Sequence, residues 1–158
     1  WATVRCGMAN ASPPRTLKDC TAWLDSLERA KSVHTTGQWP LSSVLDHLAQ
    51  SIEMSMDGFP QPKGALFQMT AGRAAFAVFK ARAKMSHGLA EPIPGAPPLD
   101  VGADWKPAAR RLRAAIARFD AHTGALKPHF AYGELDKADF ALAHCMHVGN
   151  HQDEIVVA

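Results

Sequence analysis

Toward its C-terminal end the chain carries His144, His147, His151 and Glu154 at spacings of three and four residues. On a helix, positions 140, 144, 147, 151, 154 and 155 fall on one stripe, which reads Phe140, His144, His147, His151, Glu154 and Ile155. A core-facing stripe is normally filled with Leu, Ile or Phe. Burying several imidazoles costs free energy unless each finds a partner, and a metal ion is an efficient partner for clustered rings. His147 and His151 lie one helical turn apart, so their side chains start ~6 Å from each other. Both can then reach one ion at the ~2.0–2.1 Å typical of a metal–imidazole bond. A third ligand must come from another helix, and His47, at the edge of an apolar stripe, is the candidate. Three protein ligands with a position left open are the arrangement of a catalytic rather than a closed structural site.

The competing readings of the same residues are hydrogen-bonded core histidines or a partly solvated pocket. Glu154 is the candidate catalytic carboxylate, acting as a base or orienting a ligand ring; the plainer reading is a carboxylate near the chain end. His144 is open among replacement ligand, support for a ligand and contact with a neighbouring helix. His129 is placed to close over a pocket mouth. His34, His87 and His122 fall near helix ends or loops and are expected to be exposed or capping. Asp46 should point away from His47, outward or into a bond with a neighbouring helix. Cys145 is expected to pack in the core.

These residues need helices to hold them. Thr16 is a candidate N-cap with Asp19 at the capping-box position. Leu17, Cys20, Leu24, Leu27 and Ala30 then recur at helical spacing. Gly37 and Pro40 punctuate a loop at about 35–41, and a second helix is expected from Ser42 to about Asp57, with Leu41, Val44, Leu45, Leu48, Ile52 and Met56 as its apolar stripe. A third helix is expected over 65–86. Residues 88–102 contain Pro92, Pro94, Pro97 and Pro98, which a helix cannot cross; they read as an extended crossover on the surface. A fourth helix fits 104–122, capped by Asp104, and the last begins after Asp136. Long helical patterns with little strand signal predict an all-α, antiparallel four-helix bundle in one domain over 1–158, with 1–15 as an irregular lead-in.

Composition agrees with a globular chain. Of 158 residues, 47% are apolar and 20% charged, within the ordinary range. A net charge of +2 is too weak a bias for a nucleic-acid partner, and the basic clusters at 73–84 and 106–118 read as solvated faces. No apolar run approaches the ~20 residues of a membrane span. The three cysteines, Cys6, Cys20 and Cys145, do not make a disulfide framework, although Cys6 and Cys20 could pair in an oxidising compartment. Together with the start at Trp1, this tilts the expected location slightly to the periplasm over the cytoplasm. A homodimer is a further expectation, since bundles often pair.

The segments Trp39-Pro40-Leu41, VLDHLAQSIEMSMDGFP (Val44 to Pro60), GLAEPIPGAPPL (Gly88 to Leu99) and PHFAYGELDKADFALAHCMHVGNHQDE (Pro128 to Glu154) together resemble the DinB-like superfamily. The nearest likeness is to an uncharacterised bacterial branch known as a domain of unknown function. Its members carry a histidine in a D-H-L-A context, a His-Pro-Phe-Phe-Gly turn and an H-x-x-H-H pattern. Here the tandem histidines are Asn150-His151, and the turn reads His129-Phe130-Ala131-Tyr132-Gly133. The resemblance runs from about 17 to 155. It implies a four-helix bundle with a long crossover and a divalent metal, zinc or nickel foremost, on His47, His147 and His151. Some relatives are thiol-dependent transferases, so the implied activity is a metal-dependent hydrolase or thiol transferase with a small-molecule substrate or thiol cofactor. The alternative is a non-catalytic ligand-binding or structural bundle with no bound metal.

Overall fold

The structure is a computed structural model and describes residues 11–158. Helix α1 spans Leu17–Arg29, and its start is the expected capping box: the Thr16 hydroxyl accepts from the Asp19 N–H, and the Asp19 carboxylate accepts from the Thr16 N–H. Its buried face is Cys20, Trp23, Leu24 and Leu27. Helix α2 spans Leu41–Asp57, and only Glu53 and Asp57 escape burial. Helix α3 covers 65–82, with a π-helical segment at Gln68–Gly72 between the α-helical runs Ala65–Phe67 and Arg73–Arg82. Helices α4, Lys106–Ala121, and α5, Lys137–Gln152, complete the helical part. The N-cap of α4 is Trp105 rather than the expected Asp104, though the Asp104 carboxylate still accepts from the Lys106 N–H at 3.0 Å. Asp136 caps α5 by accepting from Asp139 N–H at 2.7 Å.

Helices α1 and α2 each pack against both α4 and α5, around a core that includes Leu24, Leu27, Leu45, Leu48, Leu112, Phe119 and Phe140. Helix α3 stands outside that group. Its Phe76 joins Met85, Tyr132, Ala143 and Met146 in a second apolar cluster. Residues 83–105 contain no helix or strand, as their prolines require. Backbone polar groups that lie against α2 need partners, and that helix supplies them. Ser42, Ser43 and Gln50 donate to the carbonyls of Gly102, Asp100 and Pro97, while Asp46 accepts from the Asp100 N–H. This is why so buried a helix carries polar residues on its outer side.

The all-α expectation needs one correction. β1, Val33–Thr35, pairs antiparallel with β2, Ile155–Val157, in the register Val33↔Val157, His34↔Val156, Thr35↔Ile155. The chain is therefore mostly helical with a small two-stranded sheet. Because α5 ends at Gln152, Glu154 and Ile155 are not the last positions of a helical stripe. Among the described residues, no helix is long and apolar enough to cross a membrane. Cys6 lies outside the described residues. Cys20 and Cys145 are free and buried, their sulfurs 3.9 Å apart between α1 and α5.

Candidate metal centre and adjoining cavity

His47 enters the core from α2, and His147 and His151 from successive turns of α5. Their relative exposures are 3%, 8% and 0%. One nitrogen from each lies within 4.8 Å of the others. The ring centroids form a nearly equal-sided triangle, at 4.8 Å (His47–His147), 5.2 Å (His47–His151) and 5.0 Å (His147–His151). His47 Nε2 stands 3.0 Å from His147 Nε2. Two nitrogens sharing a tetrahedral ion are about 3.3 Å apart at the usual bond lengths.

The hydrogen bonding of the three rings is incomplete. Whichever of His47 and His147 donates across the 3.0 Å contact, His47 Nδ1 is left without a partner. Both nitrogens of His151 are sealed from solvent and unpartnered. An unpaired buried polar group costs about 1–3 kcal/mol. Burial, reinforced by His87, lowers the His47 pKa to about 4. Burial, with His47 and His87, lowers that of His151 to about 3, and His147 is pushed well down by burial and its histidine neighbours. All three are neutral imidazoles near pH 7, the form that coordinates metals. The donor set and the unpartnered nitrogens fit a divalent cation.

Glu154 lies behind His151. Its Oε1 is 3.8 Å from His151 Nδ1, too far for a hydrogen bond, and has no other partner. Burial raises its pKa. The small sheet sets its position: Thr36 donates to the Glu154 carbonyl through both its N–H and its hydroxyl. Gly37 leaves room beside the carboxylate, since a Cβ there would meet Oε2 at 3.0 Å. Glu154 is not among the residues lining the adjoining cavity.

That cavity has a volume of about 320 Å³, and its walls include His47, His147, His129, His144, Tyr132 and Ile93. His87, expected to be an exposed or capping residue, is instead half-buried over the cluster, its ring 5.1 Å from that of His147 and 5.9 Å from that of His151. It sits in the irregular stretch after α3, where no periodicity could have placed it. His34 is exposed, and His122 is the C-cap of α4. Asp46 turns to α4, accepting from Arg111 at 2.7 Å, and Cys145 packs in the core.

His129 is one of the residues that line the cavity. Its N–H donates to the Gly133 carbonyl, and the Gly133 N–H donates back, in a turn where Gly133 takes φ +77°, a conformation that favours glycine. The turn presses on α3 at Gly72, where an added Cβ would come within 1.8 Å of the Ala131 oxygen. The His129 ring stacks on Tyr132 at 4.2 Å and 10°. His144 is held between Phe119 and Phe140, with Nε2 3.2 Å from Ser55 Oγ.

Fold and site together define a mostly helical protein with three converging buried histidines beside a cavity. Residues 15–157 match the family described as "Protein of unknown function (DUF1569)", and the chain belongs to that family. No curated protein and no solved structure matches the chain.

Proposed function

We propose that this protein binds a divalent cation through His47, His147 and His151, with zinc or nickel as the favoured ions, and uses the adjoining cavity for a small-molecule substrate. The reading takes α1, α2, α4 and α5 as an antiparallel four-helix bundle of the DinB-like kind, in one domain. The observation that carries it is His151, fully buried with both ring nitrogens unpartnered and facing two further neutral imidazoles. A cation held there supplies a Lewis acid, suited to hydrolysis or to transfer from a low-molecular-weight thiol. The neutral imidazoles leave the ion's charge uncompensated. His47 and His147 also line the cavity, so a ligand entering it meets the coordinating face directly. Glu154, 3.8 Å behind His151 Nδ1, is placed to act on the site through that ring once a bound cation draws the ring's other nitrogen toward the cluster.

A second reading, a ligand-binding module without turnover, has one observation in its favour: the candidate base Glu154 does not line the cavity. Metal content separates the metal-site reading from a ligand-binding or structural bundle without metal. After dialysis against zinc, nickel, manganese and iron, mass spectrometry should find about one equivalent of metal in the native protein. A His147→Ala/His151→Ala variant should retain none. Native protein that retains no metal sinks both the metalloenzyme and the metal-site reading.

A further inference from the structure

Two cavity histidines lie outside the candidate metal set, and neighbouring groups fix the tautomer of each. The backbone N–H groups of Ala131 and Tyr132 both donate to His129 Nδ1, each at 3.1 Å. That nitrogen is therefore the lone-pair side of the neutral ring, and Nε2 carries the hydrogen. In His144 the logic runs through Ser55. The Ser55 hydroxyl gives its single hydrogen to the Ile52 carbonyl, so Ser55 Oγ accepts from His144 Nε2–H. His144 Nδ1 is then a lone pair.

Two polar atoms remain: a donor, His129 Nε2–H, and an acceptor, His144 Nδ1. Neither has a hydrogen-bond partner among the described residues, and neither is one of the sealed, unpartnered atoms of the core. Both rings line the cavity, although the residues are only 9% and 3% exposed. Burial holds both rings neutral, their pKa values lowered to about 3. The charged side chains on the cavity wall, Lys63 and Glu91, belong to exposed residues.

We infer that His129 and His144 form a donor–acceptor edge that selects a neutral ligand group able to accept and donate at once, a carboxamide or a hydroxyl, on a compact apolar body. A carboxamide satisfies the edge with its C=O and N–H, and a hydroxyl does so with one oxygen. A carboxylate offers only acceptors and sets a lone pair against His144 Nδ1. This rests on the cavity being a ligand site, as proposed above, but not on the cation.

The test uses metal-stripped native protein titrated with benzamide, benzyl alcohol, benzoate and toluene, read by NMR of the histidine ring nitrogens. Before any ligand is added, both rings should show the neutral Nε2–H tautomer. Benzamide or benzyl alcohol should bind about tenfold or more tightly than benzoate and toluene, as expected when a buried donor or acceptor is otherwise left unmade, and should shift His129 Nε2 and His144 Nδ1. Which of the two binds better separates the amide from the hydroxyl source. His129→Asn keeps an acceptor for the turn's N–H groups, and His144→Gln keeps a donor for Ser55. Each should lose about tenfold for the better probe, with toluene unchanged. Benzoate or toluene binding as tightly, no probe binding, or the opposite tautomer at either ring overturns the inference. Because metal is absent throughout, these outcomes are independent of the metal-content result.

Discussion

Helix α2 has two flanks built on opposite principles. Toward α4, Leu45, Leu48 and Ile52 share a core with Leu112, Ile116 and Phe119. The polar edge of that interface is closed: Arg111 bonds Asp46 at 2.7 Å and Glu53 at 2.7 and 3.0 Å, and Arg118 grips Asp57 with both terminal nitrogens. Toward α5, the same helix presents His47 and Ser55 to His144, His147 and His151, and nitrogens there have no partner. Burial of each large apolar side chain on the first flank contributes about 1.5–3 kcal/mol. Each unmade hydrogen bond on the second costs about 1–3 kcal/mol. The contrast separates the flank where folding is driven from the flank where stability is given up, at the candidate site.

Breaking the apolar flank should have the largest effect. Phe119 is fully buried, and Phe119→Ala is expected to cost about 3–5 kcal/mol, read as a lower denaturant midpoint at constant slope. A cost under about 1 kcal/mol would remove the contrast between the flanks.

Acid should act through the histidine flank. His129 and His144 titrate near 3 when folded, against about 6.5 unfolded. Their folded values are depressed, so between those limits the unfolded chain binds more protons. Their contribution is intact above about pH 6.5 and is lost as pH falls toward 3, by about 1.4 kcal/mol per pH unit for each ring. His47 and His151 act in the same direction. Unfolding free energies at pH 7.5, 6.5 and 5.5 should fall steeply over the last interval, and a flat profile would contradict neutral burial.

The smallest effect on stability sharpens the comparison most. His151→Leu removes two unpartnered nitrogens and keeps an apolar body of comparable reach. In metal-free protein it should leave stability unchanged or raise it by about 1–3 kcal/mol, while abolishing metal retention. Clear destabilisation of the metal-free variant would mean that His151 is a satisfied core residue.

Local rules carried much of this fold to the reader of the sequence. The Thr16–Asp19 box and the Asp136 cap formed where expected because a cap depends on residues three apart. The α2 stripe and the His147/His151 pair followed from helical periodicity alone. The third helix ran shorter than its pattern, ending at Arg82 with Ala83 left-handed. The two short strands left no signal, because three-residue pairings are made by residues more than a hundred positions apart. His87 was misplaced for a related reason: an irregular segment has no period from which a direction can be read.

By itself, then, the sequence determined that five helices form and roughly where, which faces of most of them are apolar, and that His47, His147 and His151 were the histidines to watch. All of that is encoded within a few turns of chain. Only the tertiary structure decided that those three rings converge, that Glu154 leaves the helix to stand behind His151, that His87 covers the cluster, and that Ala131, Tyr132 and Ser55 fix the protons on His129 and His144. Each depends on side chains brought together by packing between distant segments, and no local pattern specifies the distance or angle at which they meet.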